Sequence, residues 1–554
     1  SLIVNADVSA SAAIVDTKLA TISTAGKVAN SATTATSANT ANAIVARNAS
    51  GNFSAGNISI TDGVLSGNLI LTTEPSSSTA GNILKGSSTF IHDAGTNNMF
   101  AGIDSGSLTT SGTGQNSGFG VSALDVISTG SSNTAMGYNS MAATTTGANN
   151  TAVGANALAV GVFANQNVAI GVGALQNHTS GPSVAVGYLA MNADTASSQN
   201  TAVGWSALTT NTTGTSNTAI GYSSLLNNIT GINNTAVGTN SLAANTIGTS
   251  NTAVGFTALQ VNTTGINNTA IGANALNSNI VGTTNTAIGF NALTASTVSG
   301  NTAVGSSSLA ANTTGTSNTA VGLSSLAANT VGIQNTAVGS SALAANTTAT
   351  DNTALGYNTF ASVSTGSTNI AIGSGAGGTL TTGSGNIYIN ANAGTATEAT
   401  TTRIGTSQTK CFIAGIRGIT TVNNNAIAVL IDSAGQLGTV SSSQTVKHDI
   451  QNMADASSSI MDLRPVTFIY NGDESNTQQY GLIAEEVNDI FPDIVVKNAQ
   501  GKPETVQYHV LPVLLLNEIK KQQVAIETLQ KDNVQRDALI QNLLERINYL
   551  EAKA

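Results

Sequence analysis

The string Asn-Thr-Ala-Val-Gly, or a close variant, starts at Asn133, Asn150, Asn200, Asn217, Asn234, Asn251, Asn268, Asn285, Asn301, Asn318, Asn335 and Asn352. Weaker copies start at Asn116, Asn167, Ser183, Asn369 and Asn386, which makes 17 copies in all. The step between copies is 17 residues, apart from two steps of 16, from 167 to 183 and from 285 to 301. Such a period constrains the fold more than any other feature, because each unit must bury its apolar side against copies of itself.

Seventeen residues are too few for a pair of helices. Glycines at the fifth position (Gly137, Gly154, Gly204, Gly221) and usually at the fifteenth (Gly147, Gly214, Gly231, Gly248) also break any continuous helix. The second and fourth positions carry Thr or an aliphatic residue, as in Val168 with Ile170 and Ile370 with Ile372, and the third is nearly always Ala. Alternation of period two, bounded by Gly and Asn, predicts a short strand between tight turns. Eight residues after each start stands a large apolar side chain: Leu in twelve copies from Leu124 to Leu343, and Met141, Met191 and Phe360 in three others. This Ala-Leu segment is expected to supply a second strand.

The expected unit is therefore one coil per repeat of a parallel β-roll or solenoid, so the fold class is mostly β. At about 4.8 Å between stacked strands, 17 coils would make a shaft of roughly 80 Å. Residues 116–386 hold only three charged residues, Asp125, Asp194 and Asp351. The expected core of each coil is Val, Leu and Thr. Its small Ala and Ser faces are expected to pack against identical chains in closed cyclic symmetry. The run of Asn/Ser, Val/Thr, Ala, Ile/Val and Gly resembles the head repeats of trimeric autotransporter adhesins, which implies a left-handed parallel β-roll trimer. The adhesin repeat is shorter, so a longer turn is needed here. No membrane anchor of the autotransporter type is read in the sequence, so export by that route is not implied.

Composition limits the function. Charged residues are 8% of 554, against about 25% in an ordinary globular domain. The formal net charge of −10 excludes nucleic acid as an expected partner, because phosphate binding needs clustered Lys and Arg. No run of 18 apolar residues occurs, so membrane insertion is not expected. The chain starts at Ser1 without Met or a signal-peptide pattern, as expected of a mature or truncated product. The single Cys411 excludes an internal disulfide; lying in an apolar run, it is expected to be a buried structural thiol. His92, His178, His448 and His509 are scattered, and neither a metal nor a cofactor is expected.

Charge is also segregated. Residues 1–441 hold 18 charged residues and residues 442–554 hold 26, which places the sharpest boundary near 441. The expected organisation is a low-complexity stalk or linker (1–48) and a β-rich connector (49–115). The repeats (116–386), a β-rich neck (387–441) and an α+β module (442–554) follow. The module ends in a long helix. Its positions Ile526, Leu529, Asn533, Arg536, Ile540, Leu543, Ile547 and Leu550 step by three and four along one seam, as in a coiled coil interrupted by Asn533 and Arg536.

The module carries Ser442, Lys447 and Ile450, then Leu463, Pro465 and Phe468, the segment Gly481 to Val487, Phe491-Pro492, and Tyr508 before an apolar helix. This order resembles the C-terminal intramolecular chaperone, or auto-processing peptidase, domain of phage tailspikes, tail fibres and endosialidases. The resemblance implies that the domain trimerises, helps the preceding β-structure fold in register, and cuts itself off between Ser441 and Ser442. Ser442 would be the nucleophile and Lys447 its general base, with a pKa lowered by burial. Such Ser-Lys pairs replace the Ser-His-Asp triad elsewhere. Without the resemblance, a Ser and a Lys five apart read as a solvated linker. The family often has Asp after the Ser and Arg two before the Lys; here these are Ser443 and Thr445.

The expected function is a homotrimeric structural fibre, extracellular on a virion or cell surface and matured by a cleavable chaperone. Its partners are its own copies, with a host-surface receptor or glycan beyond them. No conventional substrate turnover is expected, only one self-cleavage per chain. One alternative is a glycan-degrading tailspike depolymerase, which needs two carboxylates about 5–9.5 Å apart. Asp125, Asp194 and Asp351 are at least four repeats from one another. A second alternative is an ice-binding-like solenoid that presents Thr ladders. The second-position Thr exchanges with Val and Ile and is therefore expected to be buried.

Overall fold

A computed structural model describes residues 82–85, 88–416, 426–432 and 435–554, and the stalk segment 1–48 lies outside the described residues. The chain divides into two compact units, one ending at Cys411 and the other spanning Phe412–Ala554.

The first unit is a parallel β-solenoid. Its ladder comprises nineteen three-residue strands, from Met99–Ala101 to Thr402–Ile404, and thus extends past the repeats on both sides. At the start it is continued by the antiparallel strands Ser88–His92 and Ile83–Lys85. Successive strands pair in register one repeat apart, as Thr235, Ala236 and Val237 do with Thr252, Ala253 and Val254. Eighteen steps at about 4.8 Å give a shaft of roughly 85 Å. Among the described residues 99–404 there is no α-helix.

The strand faces opposite to expectation. Ala236, Ala253 and Ala270 are sealed inside, while Thr235 and Val237 and their equivalents face outward. The coil interior is too narrow for a second layer of Val and Thr. It is filled by the Ala column, the Leu column (Leu242, Leu259, Leu276) and buried Asn residues, all fully enclosed. Both ends of the shaft show how narrow it is. Where Phe100 occupies the Ala position, the Leu position of the same coil is Gly106, and a Cβ there would lie 2.3 Å from the Phe100 ring. Near the other end Gly377 stands in the Leu column, where a Cβ would meet the rings of both Phe360 and Tyr388. These two rings pack edge to face at 5.9 Å. Bulk at one position is thus offset by its removal at the facing one.

The Ala-Leu segment is not a second strand. Asn240 and Leu242 both have positive φ, 56° and 52°, and the pattern repeats from coil to coil. Two left-handed residues so close together turn the chain back toward its own strand, which excludes extended geometry. Left-handed Leu costs about 1–2 kcal/mol. Full burial of the side chain returns about 1.5–3 kcal/mol. The backbone N–H of Leu242 also bonds across coils to the carbonyl of Ala258 at 3.0 Å. The fifth-position glycine is required on two counts. Gly255 has φ 136°, and a Cβ on it would lie 2.6 Å from the backbone of Gly272.

The C-terminal unit is small. It contains the antiparallel pairs Val466–Phe468 with Gln479–Gly481 and Val495–Lys497 with Pro503–Val506, a short helix α1 (Ala484–Ile490) and a 41-residue helix α2 (Leu511–Glu551). Its core is Ile460, Val487, Ile494, Val495, Val506 and Leu514. From Gln522 onward every residue of α2 is exposed. Cys411 is exposed too, contrary to expectation, because its segment packs against nothing that would cover the thiol.

Candidate functional site

Ser441 and Ser442 lie in an exposed stretch leading to a single 3-10 turn, Gln444–Val446. Ser443 caps this turn, its Oγ accepting the N–H of Thr445 and lying 2.7 Å from Thr445 Oγ1. Lys447 closes the turn, its backbone N–H donating to the Gln444 carbonyl. Ser443 and Thr445, the two departures from the family pattern, thus hold each other. Ser442 and Lys447 flank the turn, both exposed. Among the described residues neither side chain makes a hydrogen bond, to the other or elsewhere. The single chain therefore brings the pair to opposite ends of one turn and leaves both side chains exposed.

The other motif residues gather elsewhere in the module. The Tyr508 hydroxyl accepts the Leu482 N–H at 2.8 Å, and a Cβ on Gly481 would sit 2.7 Å from that oxygen. Phe468, Tyr470, Leu482, Glu485, Glu504 and Tyr508 line an open cavity of about 270 Å³ that includes neither Ser442 nor Lys447. Arg464 pairs with Glu486 beside it, and this contact holds the Glu486 carboxyl below its usual pKa. Among the described residues no group of three or more His, Cys, Asp or Glu stands ready for a metal ion, and no helix is long and apolar enough to cross a membrane.

On the shaft, the outward strand face carries a Thr column and a Val/Ile column. Beside them runs a column that sequence reasoning missed. The sixth repeat position places Tyr138, Tyr188, Trp205, Tyr222, Phe256 and Phe290 outward, 41–57% exposed. The Tyr188 and Trp205 rings pack 4.6 Å apart. The signal was present in the sequence, since most shaft aromatics fall at this one position. Of the shaft carboxylates, Asp194 is fully buried. Asp125 and Asp351 stand thirteen coils apart, about 60 Å along the shaft.

The family described as the chaperone of endosialidase matches residues 442–496, from Ser442 into the strand Val495–Lys497. No curated protein and no solved structure matches the chain. A parallel β-solenoid followed by a chaperone-of-endosialidase segment fits a tail-fibre-type protein with a C-terminal chaperone domain.

Proposed function

We propose that this protein is a homotrimeric fibre of a virion or cell surface, whose C-terminal domain (442–554) trimerises, aligns the shaft and removes itself by cleavage between Ser441 and Ser442. The observation that carries the proposal is α2. Ile526, Leu529, Ile540, Leu543, Ile547 and Leu550 form one apolar seam and are 48–62% exposed in the single chain. Burying each such side chain gains about 1.5–3 kcal/mol, and parallel copies of the same helix offer the matching seam. The long uncharged strand face of the shaft supports the same reading. Ile220, Ile271 and Ile288 along it are 36–40% exposed, and a run of exposed apolar side chains of this kind marks an interaction surface.

In this reading Ser442 Oγ attacks the Ser441 carbonyl while Lys447 takes its proton and passes it to the Ser442 nitrogen as the C–N bond breaks; water then hydrolyses the resulting ester to separate the two ends, and neighbouring chains supply the burial that the Lys needs. The depolymerase alternative loses Asp194 to the shaft interior. The outward Thr column favours one second reading, an ordered surface bound along the strand face. A thermal-hysteresis assay tests it, and a trimer that covers the face would show none.

Light scattering with mass spectrometry of the expressed full chain tests the main proposal. A particle of three chains and a 113-residue fragment beginning at Ser442 are expected. A stable folded monomer of about 55 kDa would refute it.

A further inference from the structure

One place in the shaft puts two titratable side chains into a column that elsewhere holds only amide, hydroxyl and apolar residues. Position 12 of the repeat points inward and is normally Asn, as in Asn211, Asn228, Asn245, Asn262 and Asn279. These form a ladder in which each Nδ2 donates to the Oδ1 of the coil before, for example Asn228 to Asn211 at 2.8 Å. In coils 167–182 and 183–199 the same column holds His178 and Asp194, both with wholly buried side chains.

The first-position Asn ladder breaks here as well. Ser183 replaces Asn, and its buried Oγ finds no partner. Coil 167–182 is one residue short and contains Pro182. The strand pairing and the Ser183 N–H bond to Asn167 Oδ1 continue across this seam, but both Asn side-chain rungs are missing, and the His-Asp pair stands in the inner column.

Geometry sets the protonation of the pair. His178 Nε2 lies 2.8 Å from the Gly181 carbonyl oxygen, which only accepts, so Nε2 carries a proton. His178 Nδ1 lies 3.2 Å from Asp194 Oδ2, an ionic contact rather than an aligned hydrogen bond. Ser197 Oγ donates to the same carboxylate oxygen at 2.5 Å, and the Ser197 N–H donates to Oδ1. Asn200 Nδ2 in turn donates to Ser197 Oγ at 2.6 Å. The imidazole is therefore faced by acceptors at both nitrogens. A buried carboxylate without a cation would be costly.

We propose that the seam between coils 167–182 and 183–199 is a pH-sensitive point of the shaft, held in part by the buried ion pair of protonated His178 with Asp194 and loosened when the imidazole gives up its second proton. The coils on either side, 150–166 and 200–216, contain no titratable residue. Tyr188, the other titratable group of these two coils, points outward. Asp194 alone faces the ring with charge. Burial by itself would lower the His178 pKa; the Asp194 contact and charge, with the Gly181 and Ser180 carbonyls, outweigh it and leave the pKa above the usual 6.5. A folded pKa raised in this way gives cohesion that is complete below about 6.5 and declines as pH rises through the folded value.

Hydrogen exchange of the assembled full chain, read by mass spectrometry from pH 6 to 9 and corrected for the intrinsic rate, tests this. Protection of residues 167–200 should fall relative to coils 234–267 by up to about tenfold per pH unit above 6.5. The double variant His178→Asn, Asp194→Asn, which continues the Asn column, should abolish that difference. Equal pH dependence of the two regions in the parent chain overturns the proposal, whether or not the variant folds. So does a pH dependence that survives in a folded double variant.

Discussion

The backbone N–H and the side-chain Nδ2 of Asn251 converge on one atom, Oδ1 of Asn234, at 3.0 and 3.2 Å. Asn251 Nδ2 also reaches the Gly265 carbonyl at 2.8 Å, and its Oδ1 receives the same pair of donors from Asn268. One fully buried amide therefore satisfies a backbone group in its own coil and one in the next, and bonds the Asn234 side chain of the coil before. The rung repeats along the shaft from Asn98 to Asn386, apart from the break at Ser183.

Asn251→Ala should consequently act beyond its own size. It leaves the Asn268 N–H without a partner, at about 1–3 kcal/mol, and strips the Gly265 carbonyl of one of its two donors. The expected result is unfolding accelerated by at least tenfold in denaturant, measured on the intact fibre. Thr252→Ala on the outer face should change the rate of a single chain much less.

Leu242 tests backbone conformation separately from volume. Leu242→Met should be nearly neutral, since Met141 and Met191 occupy the same column with φ 54° and 52°. Leu242→Ile conserves volume but puts a β-branched side chain at φ 52°, where such residues are outliers. It should cost more than the roughly 1.5 kcal/mol that bounds most volume-conserving core swaps. Leu242→Asp should disrupt the shaft outright by burying an unpaired charge. Thermal melts of the three variants check the order.

The C-terminal end of the solenoid should be acid-sensitive. Arg403 binds Glu398 through two nitrogens, and the buried Tyr388 hydroxyl donates to the same carboxylate at 2.7 Å. The Arg403 contact first, then Tyr388 and the Gly394 N–H, hold the Glu398 pKa down to about 2 against the opposing effect of burial. A depressed carboxyl pKa contributes stability that is present above about 4.5 and lost as pH falls through about 2. Nicking near residues 386–404 by pepsin should increase as the pH falls from 4 to 2. Glu398→Gln should be nicked already at pH 4 and show little further change.

Cleavage should depend on assembly. Lys447, the proposed base, is exposed in the single chain, so on the proposed reading its burial is expected only in the assembled fibre. Leu543→Asp with Ile547→Asp, placed on the exposed seam of α2 far along the helix from Ser442, should yield an uncut, unassembled chain. Ser442→Ala and Lys447→Ala should each give an uncut but assembled one. Gel filtration paired with mass spectrometry separates these outcomes. Cutting in the helix variant would break the link between the two events.

The repeat determined most of the shaft before any coordinates. Its spacing set one coil per repeat, its Gly positions set the corners, and the Leu column identified one buried wall. The module beginning at Ser442 was equally legible, because its motif residues and its charge separate it from the shaft. Alternation along Thr-Ala-Val, however, says only that Thr and Val share a face, not that this face is the core. Tertiary structure decided that from the opposite wall: with Leu242 and the buried Asn residues already filling the coil, only a methyl group fits beneath the strand. The left-handed Leu conformation, the Asn ladders and the Phe100 and Tyr388 plugs have the same origin. Each depends on what the adjacent coil places a few ångströms away, and so does the buried contact between His178 and Asp194.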